Sequence, residues 1–162
     1  MRVPVVEVES DVESVGSHEA AQALLRTYLG LLPAAQTSVT VLLHVPLIHV
    51  APDSAVRAHD YMRRQVETAF TSRRVHFRSM SHYWRSNLSK PADREAFVHV
   101  AFWTIRAELY VRGWPGAFAF ESEDSGEWFS FSMPRPVYAD FFDAIDPSAR
   151  PSEWPAPERA GI

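Results

Sequence analysis

The stretch from Arg73 to Arg85 holds the densest chemistry in the chain. It interleaves Arg73, Arg74, Arg78 and Arg85 with His76, His82, Phe77, Tyr83 and Trp84. Guanidinium forks bind phosphates in pairs of hydrogen bonds, and aromatic faces stack on bases. Arg57, Arg63 and Arg64 lie just before it on a helical pattern. A nucleic-acid or phosphate-ligand site over residues 57–85 is therefore one reading. The bland reading carries more weight: the rings are core, and the arginines pair with acidic neighbours. Net charge is −4 with a pI near 6.0, whereas a dedicated DNA-binding domain is usually basic.

Other side chains offer weaker chemistry. His44 and His49 flank Pro46 at odd spacing, which sends them to opposite faces of a strand. They read as hydrogen-bonded core residues rather than metal ligands. His59-Asp60 is a lone pair on an apolar stripe and also reads as core. The acidic turn Glu121, Glu123, Asp124, Glu127 and the helical series Asp140, Asp143, Asp146 match no calcium loop. They read as solvated faces. No serine elbow, phosphate loop, dinucleotide fingerprint or zinc-protease helix occurs. No cofactor and no metal is expected. If the chain is an enzyme, its base is one of His44, His59 and His99.

Aromatic residues make up 12% of the chain, with five Trp and ten Phe, more than a core alone requires. Trp114 sits in turn chemistry, Trp128 lies opposite the inward set Phe129, Phe131 and Met133, and Trp154 stands in the tail. Surface aromatics are enriched in binding sites. The leading expectation is thus a non-enzymatic binding or accessory protein. It docks another protein chain, or a second copy of itself, through an aromatic-rich sheet face. The residues nominated are Arg73, Arg74, Arg78, His82, Tyr83, Trp84, Arg85, Trp114 and Trp128.

Composition bounds what can position them. The length of 162 residues fits one domain with a sizeable core. There is no Cys, which excludes disulfides and thiolate chemistry. No apolar run reaches the roughly 20 residues of a membrane helix, and no signal peptide is evident, so no membrane association and a cytoplasmic location are expected. Charge is segregated: residues 55–94 are basic, and both flanks are acidic.

The elements follow from periodicity. Val3–Glu9 alternates and reads as a strand, Asp11–Gly16 as a loop. Ser17 caps a helix whose stripe is Ala21, Leu24, Leu25, Tyr28, Leu29 and Leu32. Ser38–Val50 reads as a strand buried on both faces and broken at Pro46. A second helix starts at Asp53 or Ser54. Arg73–Arg85 reads as a strand followed by a loop. After a short helical turn at Pro91–Ala96, a long bent strand is expected up to Arg112, because Trp103, Ile105, Ala107, Leu109 and Val111 alternate with polar residues. Two short strands, Ala117–Glu121 and Trp128–Met133, and a helix from Pro136 complete the series. The expected fold is α+β: a single domain over 1–147, an antiparallel-rich sheet with helices on one face, in the order β-α-β-α-β-β-β-β-α. Residues 148–162 form a proline-rich C-terminal tail with no apolar period, disordered unless Trp154 anchors it.

Overall fold

Period-two alternation builds one six-stranded sheet. The structure, a computed structural model, describes residues 3–33, 37–73, 83–113 and 117–159. Its strands are β1 (Val5–Ser10), β2 (Thr37–Leu42), β3 (Tyr83–Ser86), β4 (Arg106–Val111), β5 (Ala119–Glu123) and β6 (Trp128–Pro134). They lie in the order β1-β6-β5-β4-β2-β3, and every neighbouring pair is antiparallel. Among the described residues five α-helices accompany them: α1 (Val12–Val15), α2 (His18–Gly30), α3 (Asp53–Arg73), α4 (Pro91–Val100) and α5 (Arg135–Ala144). The architecture is the expected α+β single domain with an antiparallel sheet.

One face of the sheet is apolar and lies under the helices. Val8, Val41, Leu109, Phe120, Phe129 and Phe131 on it are almost wholly buried. The α2 stripe meets it as its spacing predicts: Ala21, Leu24, Leu25, Tyr28 and Leu29 are buried. Ser17 caps this helix by accepting the Ala20 N–H at 3.0 Å. The Tyr28 hydroxyl reaches the carbonyls of Ala119 and Ser132 at 3.0 and 2.8 Å. Burial pushes its ionisation far above the ordinary tyrosine range.

Residues 91–112 correct the expectation of a long strand. Helix α4 runs through Val100, a turn spans 101–105, and only from Arg106 does period two take over. The alternation that reads as strand belongs to residues 103–111 and does not extend back over residues 96–100. There Ala96, Phe97, Val98 and Val100 are all buried, because α4 packs against α2, α3 and the sheet, where Phe97 meets Phe120 edge-on at 6.0 Å. Its exposed side is confined to Pro91, Ala92, Arg94, Glu95 and part of His99, so the second half shows no broad polar face.

The Ser38–Val50 reading is likewise cut short. β2 ends at Leu42, and residues 46–50 form turns. Pro46 cannot donate to a ladder, and the partner strand stops at Arg106, opposite Leu42. His44 and His49 are exposed rather than core residues, as are Leu47, Ile48 and Val50. The segment read as a loop at 11–16 holds the one-turn helix α1, capped by Asp11, which accepts the Ser14 N–H at 2.7 Å. Helix α3 extends to Arg73, so the strand expected from Arg73 begins only at Tyr83 among the described residues.

The tail is tied down by the Trp154 ring and by hydrogen bonds at and beside it. Trp154 is 5% exposed, stacks obliquely on Phe141 at 5.9 Å and donates its indole N–H to the Glu9 carbonyl at 2.8 Å. The Tyr138 hydroxyl donates to the Pro155 carbonyl at 2.6 Å. Replacing Trp154 with Ala opens a cavity under α5 and β6 and is expected to cost about 3–5 kcal/mol. Urea unfolding of the wild type and Trp154→Ala measures it; equal midpoints would show that the tail is not part of the folded unit.

Candidate functional site

The second face of the sheet is polar and, among the described residues, carries no helix. Register fixes its side chains in three rows across the strands. The central row runs Glu9, Ser130, Glu121, Glu108, Thr40, Arg85 from β1 to β3. A flanking row runs Trp128, Glu123, Arg106, Leu42, Tyr83. The other runs Glu7, Ser132, Ala119, Tyr110, Ser38. Tyr110 is 48% exposed and Tyr83 36%. Thr40, Tyr83, Arg85, Arg106 and Glu108 line a shallow depression of about 410 Å³ on this face.

Its charges are laid out unevenly. Arg85 and Arg106 lie toward β3, while Glu7, Glu9, Glu121 and Glu123 lie toward β1. Arg106 pairs with Glu108, and that carboxylate, helped by Glu123 and Glu121, raises the arginine's pKa further. Glu108 stands directly opposite Glu121 on the neighbouring strand. Like charges in that position destabilise a sheet. Tyr110 is hydrogen-bonded to Ser38, which with the charges of Arg112 and Arg85 draws its phenol below the ordinary value. The indole N–H of Trp128 donates to the Glu9 carboxylate at 3.2 Å.

Of the nominated residues, Tyr83, Arg85 and Trp128 fall on this face. Trp84 does not: alternation turns it inward, where it is 1% exposed. Arg73 ends α3 on the helical layer. Arg74, Arg78, His82 and Trp114 lie outside the described residues. Sequence reading missed Thr40, Arg106, Glu108, Glu121 and Glu123 as members of the face. Its own assignment of Arg106, Glu108 and Tyr110 to the polar set of a strand held the signal, but only sheet order brings them beside Tyr83 and Arg85.

Strand β3 is held at the sheet edge by a buried polar network. Asp93, 8% exposed, accepts hydrogen bonds from the Tyr61 hydroxyl (2.6 Å), Ser86 hydroxyl (2.7 Å) and Gln65 amide (3.3 Å). Gln65 in turn accepts from the Trp84 indole at 2.6 Å. Burial alone would raise the Asp93 carboxyl, but these bonds and the Lys90 charge overcome it and hold the carboxyl below its usual range. Asp93 thereby joins α3, α4 and β3.

The histidines do not form a shared site. His44 is exposed in the turn after β2, His59 sits 3.9 Å from Asp60 on α3, and His99 sits 3.6 Å from Glu95 on α4. His18 stacks on Trp103 with ring centres 3.7 Å apart. Burial lowers the pKa of both His18 and His59. Among the described residues no group of three His, Asp or Glu side chains could hold a metal ion. No described helix is long and apolar enough to cross a membrane.

Fold and face together define an antiparallel α+β protein with one helix-covered sheet face and one that the described residues leave open. Neither a family model, nor a curated protein, nor a solved structure matches the chain.

Two measurements check these assignments. Asp93→Asn removes an acceptor from the network and is expected to cost about 1–3 kcal/mol. Amide exchange at Tyr83–Ser86 should accelerate; unchanged protection there would dissociate Asp93 from the strand's stability. His18 and His59 have lowered pKa values in the fold, so the unfolded chain takes up their protons first as pH falls. Their stabilisation is complete above the ordinary histidine value near 6.5 and declines below it. The urea midpoint is expected to drop between about pH 7.5 and about pH 5.5, and His18→Gln with His59→Gln should flatten that drop.

Proposed function

We propose that this is a non-enzymatic docking protein that holds another polypeptide chain against the open face of its sheet. The observation carrying this reading is a sheet face, free of helices among the described residues, that bears Tyr83, Tyr110 and Trp128 among paired and unpaired charges. Tyrosine and tryptophan supply large contact area at low entropic cost, and aromatic anchors dominate protein interfaces. The face carries five carboxylates (Glu7, Glu9, Glu108, Glu121, Glu123) against Arg85 and Arg106. That balance suits a polypeptide and repels a phosphate backbone.

A nucleic-acid or phosphate ligand is the competing reading, over residues 57–85. Its described basic residues divide between two layers: Arg57, Arg63 and Arg64 on α3, Arg85 on the open face. Arg63 is also paired with Glu67 at 3.3 Å. Binding of labelled oligonucleotides that weakens steeply with salt is the signature of that reading.

The docking reading is tested by a photoreactive side chain placed at Tyr110, with Arg57 on the helical layer as control position. Irradiation in purified protein and in cell extract is expected to join position 110, and not position 57, to a polypeptide. Equal yields from the two positions would overturn the reading. Alanine at Tyr83, Tyr110 and Trp128 together should reduce the yield roughly tenfold, since losing a few aromatic anchors removes most interface energy.

A further inference from the structure

We infer that the chain docked on the open face is a second copy of this one, stacked face to face about a two-fold axis that runs parallel to the strands between β4 and β5. The inference rests on the docking reading and names its partner.

The rows of the open face are laid out to match themselves after a half-turn. A two-fold axis lying in the interface along the strand direction exchanges the two halves of the sheet and keeps each row facing itself. With six strands in the order β1-β6-β5-β4-β2-β3, the midline falls between β5 and β4. β4 then faces β5 of the other copy, β2 faces β6, and β3 faces β1. In the flanking row, Arg106 meets Glu123 and Leu42 meets Trp128. In the central row, Arg85 meets Glu9 and Thr40 meets Ser130. In the remaining row, Ser38 meets Ser132 and Tyr110 meets Ala119. Symmetry doubles each match, so the two arginine–glutamate contacts become four. Moving the axis by one strand breaks both of them. An axis across the strands sets arginine against arginine. An isologous interface requires this kind of self-complementarity.

The size is adequate. Strands about 4.8 Å apart and rising about 3.3 Å per residue give this face roughly 570 Å² per copy, or about 1,100 Å² in total, just above the ~1,000 Å² of a specific interface. Stacked sheets cross at about 30°, so matches near the axis survive best. Arg106 and Glu123 are on the two strands beside it.

One mismatch gives the test its direction. Glu108 meets Glu121 of the other copy on both sides of the axis, which gathers four carboxylates there. Removing one of them therefore tightens this dimer, whereas it weakens the grip on a basic foreign chain.

Sedimentation velocity over micromolar to submillimolar concentration reads the equilibrium. The wild type is expected to dimerise reversibly. Arg106→Glu and Glu123→Arg, each alone, should dimerise at least roughly tenfold more weakly, because like charges then meet at both symmetry-related contacts. An equimolar mixture of the two variants should recover the dimer as a heterodimer. A purely internal role for the Arg106–Glu123 cross-strand pair predicts no recovery, since each chain still carries its own like-charged pair. Glu121→Gln should dimerise more tightly than the wild type. The inference is overturned if the wild type stays monomeric throughout, if the mixture yields no heterodimer, or if Glu121→Gln weakens association. A monomeric wild type whose position 110 still cross-links a foreign polypeptide removes self-association and leaves docking standing. A monomer that cross-links nothing removes both.

Discussion

Phe131 on β6 gathers rings from two helices, a neighbouring strand and the tail. It lies 5.0 Å from Tyr28 on α2, 5.2 Å from Phe120 on β5, 5.4 Å from Phe141 on α5 and 6.2 Å from Trp154 in the tail. Edge-to-face and tilted ring pairs add attraction beyond their burial. The contact also sets a direction. Once Phe131 points to one side, the pleat sends Ser130 and Ser132 to the other, and register passes that choice to every neighbouring strand. Which face is covered and which stays open is therefore decided by where this ring cluster collects.

The open face depends on that commitment but also on an anchor at the sheet edge. A four-residue strand at an edge has one neighbour, and β3 is held by β2 on one side only. Asp93 supplies the second hold from beneath, through Ser86, and through Gln65 to the indole of Trp84. Helical and sheet layers are thus joined by a carboxylate that is fully engaged, and Tyr83 and Arg85 are presented outward because Trp84 between them is fixed inward. The chain between them and α4 passes through Leu88, whose φ of 55° lies in the left-handed region that a branched residue seldom visits. Its N–H is held by the Ser86 hydroxyl at 3.0 Å, and its side chain is buried, which together offset the strain.

Electrostatics on the open face is organised by strand order rather than by proximity in the chain. Glu9, Glu121 and Arg85 come from three distant segments yet share one row. The division of charge between the β1 and β3 ends of the sheet makes the face a dipole of side chains. A surface of that kind is complementary to itself after a half-turn, and this gives self-association a physical basis that a uniformly acidic face would lack.

Much of the fold was legible in sequence because local rules acted alone. The α2 stripe and its Ser17 cap, the outward turn of Trp128 against Phe129 and Phe131, and the alternation from Arg106 onward each follow from periodicity and hydrogen-bond geometry within a few residues. Six strands and the α+β class followed from them. Three features needed the tertiary structure. Residues 96–100 are helical because α2, α3 and the sheet bury Ala96, Phe97, Val98 and Val100 together, an arrangement that local periodicity does not reveal. Trp154 docks the proline-rich tail because a site for its ring exists only once β6 and α5 are in place. The membership of the open face was decided by sheet order: Tyr83 and Arg85 stand out in the chain, but Thr40, Arg106, Glu108, Glu121 and Glu123 acquire meaning only as their neighbours across strands. Periodicity says which side of a strand a residue takes, and only the packing of strands against one another says whose company it keeps there.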